Sequence, residues 1–458
     1  MNRFIAGIMA ALGAAPIATA QVPPDWWLML QYNPTLGGQF HLLTPSWTHV
    51  PVAGLVPLPT EAALAMAADG IAWRGVGLDV NRVVVGVTGS AGSWTAAVAS
   101  DQRIGSIPMV NFASRVAALA DDGDRVVWCE SPHGQVGTMD KQTGAVTTEF
   151  VIPSPPTNVR FPKAIATNGR FVYVATIQYS PDITEVMVFD RENPTAGATL
   201  LATIAPTSPP TTNLTNSITF GADGTLVLVG VDIVSVDPWT GVATTLTPIV
   251  RMQSGSVPPT AGAADPFHGR VGLAGGYQWA GVGGYDVAFW DPVAGLNPPV
   301  LTLTNGHPGT WRWPVGLDSN SGTRYFEIFG AGCPGPLGAE PRIRFRGLPA
   351  LGSNLALELD AAGVGSGLLL TGLSRTASAL GPLPYSLAPF QMPGCFVRVS
   401  PDATSFAIAN PAGLVATTWS IPNSASLAGL EIFCQYLAQG GQNPVNLSAT
   451  DGVVLRLR

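Results

Sequence analysis

The sequence predicts an all-β protein: a β-propeller of about six blades followed by a small β-sandwich-like C-terminal domain. Short apolar segments rich in Val, Ile, Leu, Thr and aromatic residues are separated by Gly, Pro, Asn and Asp, which is typical of antiparallel strands joined by tight turns. One strand–turn pattern repeats through the first 320 or so residues, and a different one begins near Tyr325. The predicted boundaries are 1–20 for a signal peptide, 21–324 for the propeller and 325–458 for the C-terminal domain.

The first 20 residues have the order of a secretory signal peptide. Arg3 precedes an apolar run, and Ala18-Thr19-Ala20 gives a small-x-small cleavage site before Gln21. The apolar run is shorter than the roughly 20 residues that cross a bilayer. We therefore expect an exported protein, periplasmic, surface-located or secreted, with no transmembrane segment after cleavage.

The composition narrows the classes of partner. Charged residues make up 11% of the chain and the net charge is −7, whereas an average protein is about a quarter charged. Nucleic acid is not expected as a partner, because phosphate binding needs a basic stripe. Arg342, Arg344 and Arg346 alternate along one predicted strand, and we interpret them as a solvated face rather than an anion site.

The repeat consists of a turn and an apolar strand, then a strand that ends in Asp before a second turn, then a Thr-rich strand. The Asp positions are spaced by 50, 47 and 54 residues: Asp140, Asp190, Asp237 and Asp291. Stacking such small sheets radially buries both faces of each sheet, and closing the ring protects their edges. These Asp residues are expected to cap turns, because equivalent rim positions do not converge into a metal ring.

Three further expectations concern this region. The apolar strands VVVGV, VVWCE, FVYVATI and LVLVG are predicted to be the inner strands, with Glu130 as their only acidic residue. Residues 60–68 (TEAALAMAA) are predicted as a short helix, with a strand as the alternative. The N-terminal segment around Asn33 has the outline of a blade and is expected to close the ring by pairing with the last blade. The rhythm resembles NHL, lactonase and quinoprotein-type propellers, which implies a fold and no particular activity.

The C-terminal region resembles a domain found in large secreted proteins of planctomycete-like bacteria. The matching elements are Gly330-Ala-Gly332-Cys333-Pro334-Gly335, Pro393-Gly394-Cys395, Ile421-Pro422-Asn423 with Leu427 and Gly429-Leu430, and Asp451-Gly452. The resemblance covers about 130 residues. It implies an accessory role in surface retention, sorting or adhesion, without an established activity.

Of the four cysteines, Cys333 and Cys395 lie in Gly/Pro-flanked positions of one domain. Export to an oxidising compartment favours their pairing. Closing a loop of some 60 residues could contribute roughly 3–4 kcal/mol. Cys129 and Cys434 lie in apolar strands and are expected to be buried thiols, with a bridge between them as the less favoured alternative.

No catalytic or metal-binding constellation is recognisable in the sequence. His133 and His307 are expected to be exposed turn residues, and His41, His49 and His268 have no metal-ligand spacing. The segment 121–124 (DDGD) is an acidic turn or, less favoured, a calcium site. The aromatic pairs Trp26-Trp27 and Trp311 with Trp313 could stack on sugars, but we favour a role in plugging the propeller ends.

The leading functional hypothesis is therefore an exported binding or interaction protein, with a cell-surface polymer or a protein as partner and no cofactor. The alternative is a metal-dependent propeller hydrolase of lactonase type. It needs three or four Glu, Asp, Asn or His side chains on the innermost strands. A third possibility, binding of a quinone cofactor, lacks a Trp-docking repeat.

Overall fold

The computed structural model describes residues 26–458 apart from several short segments. Those segments are 34–36, 47, 55–60, 68, 91–92, 155–158, 180–181, 206–214, 231, 248–260, 266, 268–269, 280–281, 292–293, 297–300, 305–312, 320–324, 336–337, 361–363 and 412–413. Within the described residues the regular structure is β-strand, with short 3-10 turns at Pro194–Ala196, Ala388–Phe390 and Ala425–Leu427 and no α-helix. None of the described segments is therefore a helix that could cross a membrane. The predicted signal peptide lies outside the described residues.

The first 25 strands form the propeller. The first half contains β1 (Trp27–Asn33), β2 (Gly37–Leu43), β3 (His49–Ala53), β4 (Glu61–Met66), β5 (Ile71–Val76), β6 (Asp79–Thr88), β7 (Thr95–Ser106), β8 (Arg115–Asp122), β9 (Arg125–Ser131), β10 (Gln135–Asp140) and β11 (Val146–Val151). The second half contains β12 (Phe161–Thr167), β13 (Phe171–Tyr179), β14 (Asp182–Asp190), β15 (Thr199–Ile204), β16 (Thr215–Phe220), β17 (Leu226–Gly230), β18 (Ile233–Val236), β19 (Ala243–Thr247), β20 (Ala261–Asp265), β21 (Arg270–Trp279), β22 (Val282–Asp291), β23 (Gly295–Leu296), β24 (Leu301–Thr304) and β25 (Trp313–Ser319).

Within the described residues these strands form six antiparallel units, five of four strands and the last of five, in agreement with the predicted propeller. The first unit has the order β25-β1-β2-β3, and the next four are β4 to β7, β8 to β11, β12 to β15 and β16 to β19. In the last unit, β23 and β24 both pair with β22 beyond β20 and β21. The innermost strands β4, β8, β12, β16, β20 and β25 contact one another in sequence and close a ring.

The ring closes as expected by pairing of the N-terminal strand. Trp27 of β1 lies opposite Ser319 of β25, and the two strands are antiparallel. The innermost strand of the first blade therefore comes from the end of the propeller sequence, and its other three strands come from the beginning. This arrangement ties the two ends of the propeller together by a full strand ladder.

Two strand assignments from the sequence are wrong. The apolar strands predicted as inner ones are β9, β13 and β17, each second from the channel, and β6, which is third. Residues 61–66 form strand β4 rather than a helix. The reason is that β4 is the innermost strand of its blade, where pairing with β5 and packing against β8 override the helical propensity of its alanines.

The recurring Asp residues cap turns, as predicted. The Asp140 carboxylate accepts hydrogen bonds from the backbone N–H groups of Gln142 (3.0 Å) and Thr143 (2.7 Å) and from the Thr143 hydroxyl (2.8 Å). These bonds hold the Asp140 pKa below its usual value. Asp237 accepts equivalent bonds from the backbone of Trp239 and Thr240, both 2.8 Å. The side chains therefore replace backbone hydrogen bonds that the turns cannot make.

Adjacent blades pack through large aromatic side chains, one of which lies against a glycine of the neighbouring blade. Trp27 is fully buried and meets Phe289 of the last blade edge to face at 5.1 Å. A Cβ at Gly272 would lie 2.3 Å from the Trp27 ring, so the ring can approach only because residue 272 is glycine. Trp26 is also buried, against Trp94. This pair packs between blades and does not plug an end of the propeller; the side chains of Trp311 and Trp313 lie outside the described residues.

The remaining strands form the C-terminal domain. They are β26 (Phe326–Phe329), β27 (Arg342–Arg346), β28 (Asn354–Asp360), β29 (Ser366–Gly372), β30 (Ala377–Ser378), β31 (Gly381–Pro382), β32 (Tyr385–Ser386), β33 (Phe396–Val397), β34 (Ala403–Ile408), β35 (Val415–Ser420), β36 (Glu431–Gln439), β37 (Leu447–Ala449) and β38 (Gly452–Arg456). A six-stranded sheet has the order β26-β38-β36-β29-β34 with β37 beside β36, and a three-stranded sheet has the order β27-β28-β35.

The two larger sheets share one core and so form the predicted β-sandwich-like arrangement. Leu355, Leu357 and Leu359 alternate along β28 and are buried in the same cluster as Tyr436 of the other sheet. The Tyr436 hydroxyl donates to the Leu357 carbonyl (2.9 Å). Beside this core the structure contains the predicted disulfide between Cys333 and Cys395.

The C-terminal domain is joined to the propeller through backbone as well as side chains. Ile328 of β26 donates its N–H to the Asn168 carbonyl (2.7 Å) and accepts the Arg170 N–H at its own carbonyl (3.0 Å). Gly169 lies between them with a φ of 96°, and a Cβ there would be 2.8 Å from the Ile328 carbonyl oxygen. Phe326 stacks edge to face on Phe220 at 5.2 Å. One continuous hydrophobic core therefore spans both parts.

The prediction of a solvated arginine face is wrong for two of its three members. Arg342 lies over the Trp239 ring at 4.5 Å, and Arg344 donates to Asp237 of the propeller at 3.1 Å. Arg346 is 73% exposed and pairs with Glu358 within the C-terminal domain. Arg342 and Arg344 therefore contribute to the interface between the two parts.

Candidate functional site at the distal face of the propeller

The two ends of the propeller differ because only one of them carries the C-terminal domain. Strand β12 runs from Phe161 to Thr167 and is followed by Asn168–Arg170, which bond Ile328 of that domain. We call this end the proximal face, and the end at which β8 and β12 begin the distal face. Strand β8 starts at the distal face with Arg115 and reaches the proximal face at Asp122, which corresponds to about 23 Å at roughly 3.3 Å per residue.

The innermost strands share a β-bulge close to the distal face. In five of the six, the register with the next strand shifts near the start, leaving one extra residue. The extra residues are Ala62, Ala117, Lys163, Asn216 and Val315. A β-bulge bends its strand and re-aims a side chain, and bulges are common beside functional sites. Lys163 is the one charged residue among these five positions.

Lys163 and Arg115 are neighbouring cations at this level. Lys163 is half-buried on β12, Arg115 is exposed at the start of β8, and these two innermost strands are in contact. Burial lowers the pKa of Lys163, and the charge of Arg115 lowers it further. Within the described part of the chain, no carboxylate forms an ion pair with either side chain. Among the residues that the structure describes, the two side chains therefore form a pair of cations without a bonded carboxylate at the distal ends of β8 and β12.

The nearby charges are already satisfied. Arg160 donates to Glu185 through Nε (2.5 Å) and Nη2 (3.1 Å), and Gln178 donates to the same carboxylate. The bonds from Arg160 lower the pKa of Glu185, more than burial raises it. Glu185 therefore remains ionised but directed at Arg160, so it does not neutralise Lys163 or Arg115.

A histidine and a buried glutamate lie on the same face, which the sequence did not reveal. His133 is 27% exposed, and its Nδ1–H donates to the fully buried Glu130 carboxylate at 2.8 Å. Its Nε2 accepts from the Asn111 amide at 2.7 Å. The Ser114 hydroxyl is 3.4 Å from Nδ1, the nitrogen that already donates to Glu130. Because Nδ1 cannot accept a proton from Ser114, these residues do not form a nucleophile–base pair.

The loop between β7 and β8 exposes apolar side chains beside this histidine. Met109 is 68% exposed, Val110 46% and Phe112 99%. Asn111 of the same loop holds His133, and the Ser114 hydroxyl accepts the backbone N–H groups of Val110 and Asn111 at 3.1 Å each. The loop is therefore fixed at its base while its apolar side chains point to solvent. Contiguous exposed apolar groups of this kind are typical of interaction surfaces.

The proximal face contrasts with this arrangement because its charges are buried and paired. Arg170 is 3% exposed and donates two hydrogen bonds to Asp190 (2.9 and 2.7 Å) and two to Glu340 of the C-terminal domain (2.5 and 2.9 Å). Asp451 lies 3.7 Å from Arg170 and is completely buried. Burial and the charge of Glu340 raise the Asp451 pKa to about 7.

A cleft of about 330 Å³ lies between the two parts at the proximal face. Its lining includes Trp239, Arg344, Arg346 and Glu358, together with Asp237. Each charge named here is already engaged, since Arg344 pairs with Asp237 and Arg346 with Glu358. The cleft has the composition of an interdomain seam, so we place the candidate site on the distal face.

The cysteines and histidines that the sequence singled out are mostly structural. Cys129 and Cys434 are buried thiols, and burial raises the pKa of Cys129 to about 12 and that of Cys434 still further. His41 bonds Gln31 and His49 at 3.0 Å each, and burial lowers the His49 pKa. His133 is not the exposed turn residue that was predicted, because Glu130 and Asn111 hold it. His268 and His307 lie outside the described residues.

The acidic segment 121–124 is a turn whose carboxylates meet cations. Asp121 pairs with Lys141, and Asp122 pairs with Arg191 at 2.7 Å. Over the residues that the structure describes, no group of three or more His, Cys, Asp or Glu side chains could hold a metal ion.

No protein-family profile and no curated protein matches the sequence. Several solved structures match the chain at low similarity. A chain of a nidogen/laminin complex has a TM-score of 0.39 and 13% identity, over 64% of this chain and 97% of that one. A protein from Bacteroides uniformis assigned as a 6-phosphogluconolactonase has 0.36 and 13%, over 83% and 99%. A TolB-like protein from Agrobacterium tumefaciens has 0.36 and 10%, over 65% and 99%. Similarities at this level concern the fold alone.

The sheet topology thus defines the class: an all-β propeller protein with an appended β-sandwich-like domain. Within that class, its particular features are a closed, paired proximal face and an open distal face with a cation pair, a His–Glu pair and an apolar loop.

Proposed function

We propose that this chain is an exported binding protein whose distal propeller face takes the ligand, while the C-terminal domain is attached to the proximal face. The difference between the two faces carries the proposal. At the proximal face Arg170 is buried and paired with Glu340 of the C-terminal domain, whereas the distal face presents Met109, Val110 and Phe112 to solvent. A cell-surface polymer or a surface protein is the proposed kind of partner.

Export is supported by two independent features. The N-terminal sequence has the pattern of a cleavable signal peptide, and the Cys333–Cys395 disulfide is of a kind that persists in oxidising compartments. Cell fractionation with N-terminal sequencing of the mature protein tests this part. Cleavage before Gln21 supports it, and an intact N-terminus in the cytoplasmic fraction contradicts it.

Binding is tested by probing glycan and surface-protein arrays with the purified mature protein. The distal variant Met109→Ser/Phe112→Ser removes exposed apolar groups without touching a buried side chain. The matched control is Arg346→Gln, which changes an exposed residue at the proximal cleft. We expect the distal variant to lose captured ligands and the control to retain them; the reverse result would place binding at the cleft and refute the proposal.

A second candidate function is hydrolysis, which the His133–Glu130 pair favours. The buried Glu130 carboxylate accepts from Nδ1–H and so fixes the ring orientation and tautomer, as in a general-base histidine, while the Asn111 amide donates to Nε2 and would have to give way to a substrate. A screen of lactones and esters with the wild type and His133→Gln tests it. Turnover that disappears in the variant would establish the enzyme; turnover unaffected by the variant, or none, argues against this candidate.

A further inference from the structure

We propose that Lys163 and Arg115 form an oxyanion-binding subsite at the distal entrance of the propeller channel, taking a phosphate or carboxylate group of the ligand. This inference deepens the proposed function, because it gives the chemistry of the ligand on the same face. The shared chemistry is a negatively charged oxygen group, and the experiment below distinguishes its sources.

Lys163 occupies a bulge position on an innermost strand of the propeller. Strand β12 pairs Pro162 with Thr176 and Ala164 with Ala175, so Lys163 is the extra residue of the bulge. The corresponding bulge residue on the neighbouring strand β8 is Ala117. The other bulge positions hold alanine, asparagine or valine, so the bulge itself does not require a lysine. The charge at residue 163 therefore has to be explained by something other than the fold.

The ammonium charge of Lys163 is energetically costly where it lies. Lys163 is half-buried, and the described residues supply no anion to pair with it. Arg115 adds a like charge on the adjacent innermost strand, which makes the ammonium still less favourable. The neighbouring carboxylates Glu185 and Glu130 are directed at Arg160 and His133. An arrangement that disfavours two cations in the empty site becomes favourable once an oxyanion lies between them.

The chain offers a direct probe, because Lys141 and Lys163 are its only lysines. Reductive methylation with ¹³C-formaldehyde labels both while keeping their charge, and a Lys163→Arg variant assigns the two signals. Lys141 serves as an internal reference, since it is bonded to Asp121 and the Gly123 carbonyl near the proximal face. The labelled mature protein is titrated separately with inorganic phosphate and with glucuronate at constant ionic strength.

We expect a saturable shift of the Lys163 signal and an unchanged Lys141 signal. Unlabelled Lys163→Met and Arg115→Gln proteins should bind the same anion at least about tenfold more weakly by calorimetry, because each loses a charge-assisted bond. Arg103→Gln is the control for net charge: Arg103 is exposed on the outer strand β7 and pairs with Asp79. Tighter binding of phosphate or of glucuronate identifies the source of the oxyanion.

A stability measurement separates loss of the subsite from misfolding. Because Lys163→Met removes a half-buried unpaired cation, this variant should melt at or above the wild-type temperature while failing to bind the anion. Absence of a Lys163 shift with both anions, or affinity that survives Lys163→Met, would overturn the subsite. If that happens while Met109→Ser/Phe112→Ser still abolishes ligand capture, the proposed function stands without it. If the anion binds but the arrays capture no partner, the subsite stands and the proposed function fails.

Discussion

Replacing Arg170 by Met should destabilise the protein far more than removing any exposed arginine. The Arg170 guanidinium joins the propeller to the C-terminal domain through Asp190 and Glu340, with bidentate hydrogen bonds to both. Burial opposes its charged form, but the bonds to these carboxylates outweigh burial and raise its pKa. Arg170→Met keeps most of the side-chain volume while leaving the carboxylates without their cation.

The expected loss in the free energy of unfolding depends on how exposed the two carboxylates are. Removing one member of a buried ion pair costs about 3–5 kcal/mol. Asp190 and Glu340 each keep 22% of their side-chain surface exposed and can recruit water, so we expect the lower end, about 3 kcal/mol. Arg103→Met is the matched control. Its pair with Asp79 is 62% and 40% exposed, and such pairs contribute about 0–1 kcal/mol.

Urea unfolding at pH 7, followed by both tryptophan fluorescence and far-ultraviolet circular dichroism, measures the difference and checks whether the transition is two-state. Adding Glu340→Met to Arg170→Met should recover part of the loss, because it removes a carboxylate left unpaired. Equal effects of Arg170→Met and Arg103→Met, both below about 1 kcal/mol, would refute the view that a buried charge cluster joins the two parts.

Three other predictions concern buried groups. The Asp451 pKa is raised to about 7 from 3.8. The protonated side chain therefore makes its full contribution to the free energy of unfolding below pH 3.8, and this contribution is lost as pH rises through 7. Asp451→Asn should therefore increase the free energy of unfolding at pH 8, by at most about 4 kcal/mol at 1.36 kcal/mol per pKa unit, with little effect near pH 4; equal effects at both pH values would contradict the assignment. Replacing Cys333 and Cys395 by Ala should lower stability by about 3–4 kcal/mol, because a loop of 62 residues opens in the unfolded chain; unchanged urea midpoints would count against it. Cys129 and Cys434 should resist a thiol reagent in the native state and react at once in denaturant, because both are buried with raised pKa values; rapid native labelling would show that one of them is accessible.

Local chemistry made part of the structure predictable. Asp140 and Asp237 were recognised as turn caps because the bonds that they accept come from residues two and three positions further along the chain. The flanking Gly and Pro residues likewise pointed to the pairing of Cys333 with Cys395. Such features depend on short stretches of sequence, which a single chain displays directly.

The strand order and the site depended on contacts between distant segments. Strands such as β17 (LVLVG) are covered on both faces and look the most apolar, which suggested wrongly that they line the channel. The bulge at Lys163 arises from the register of β12 on β13, which cannot be predicted from the composition of the sequence. Arg342 alternates as a solvated residue would, because its partner Trp239 lies about a hundred residues earlier in the chain.

The way in which the ring closes has a consequence for the order of assembly. Strand β1 presents an open edge until β25 is available, and β25 ends at Ser319. The chain must therefore be synthesised as far as Ser319 before the first blade gains its fourth strand. An unprotected edge of this length invites pairing with other chains. Phe326 follows within a few residues and packs on the propeller. Pairing of β25 with β1 and docking of the C-terminal domain therefore occur one after the other, late in folding.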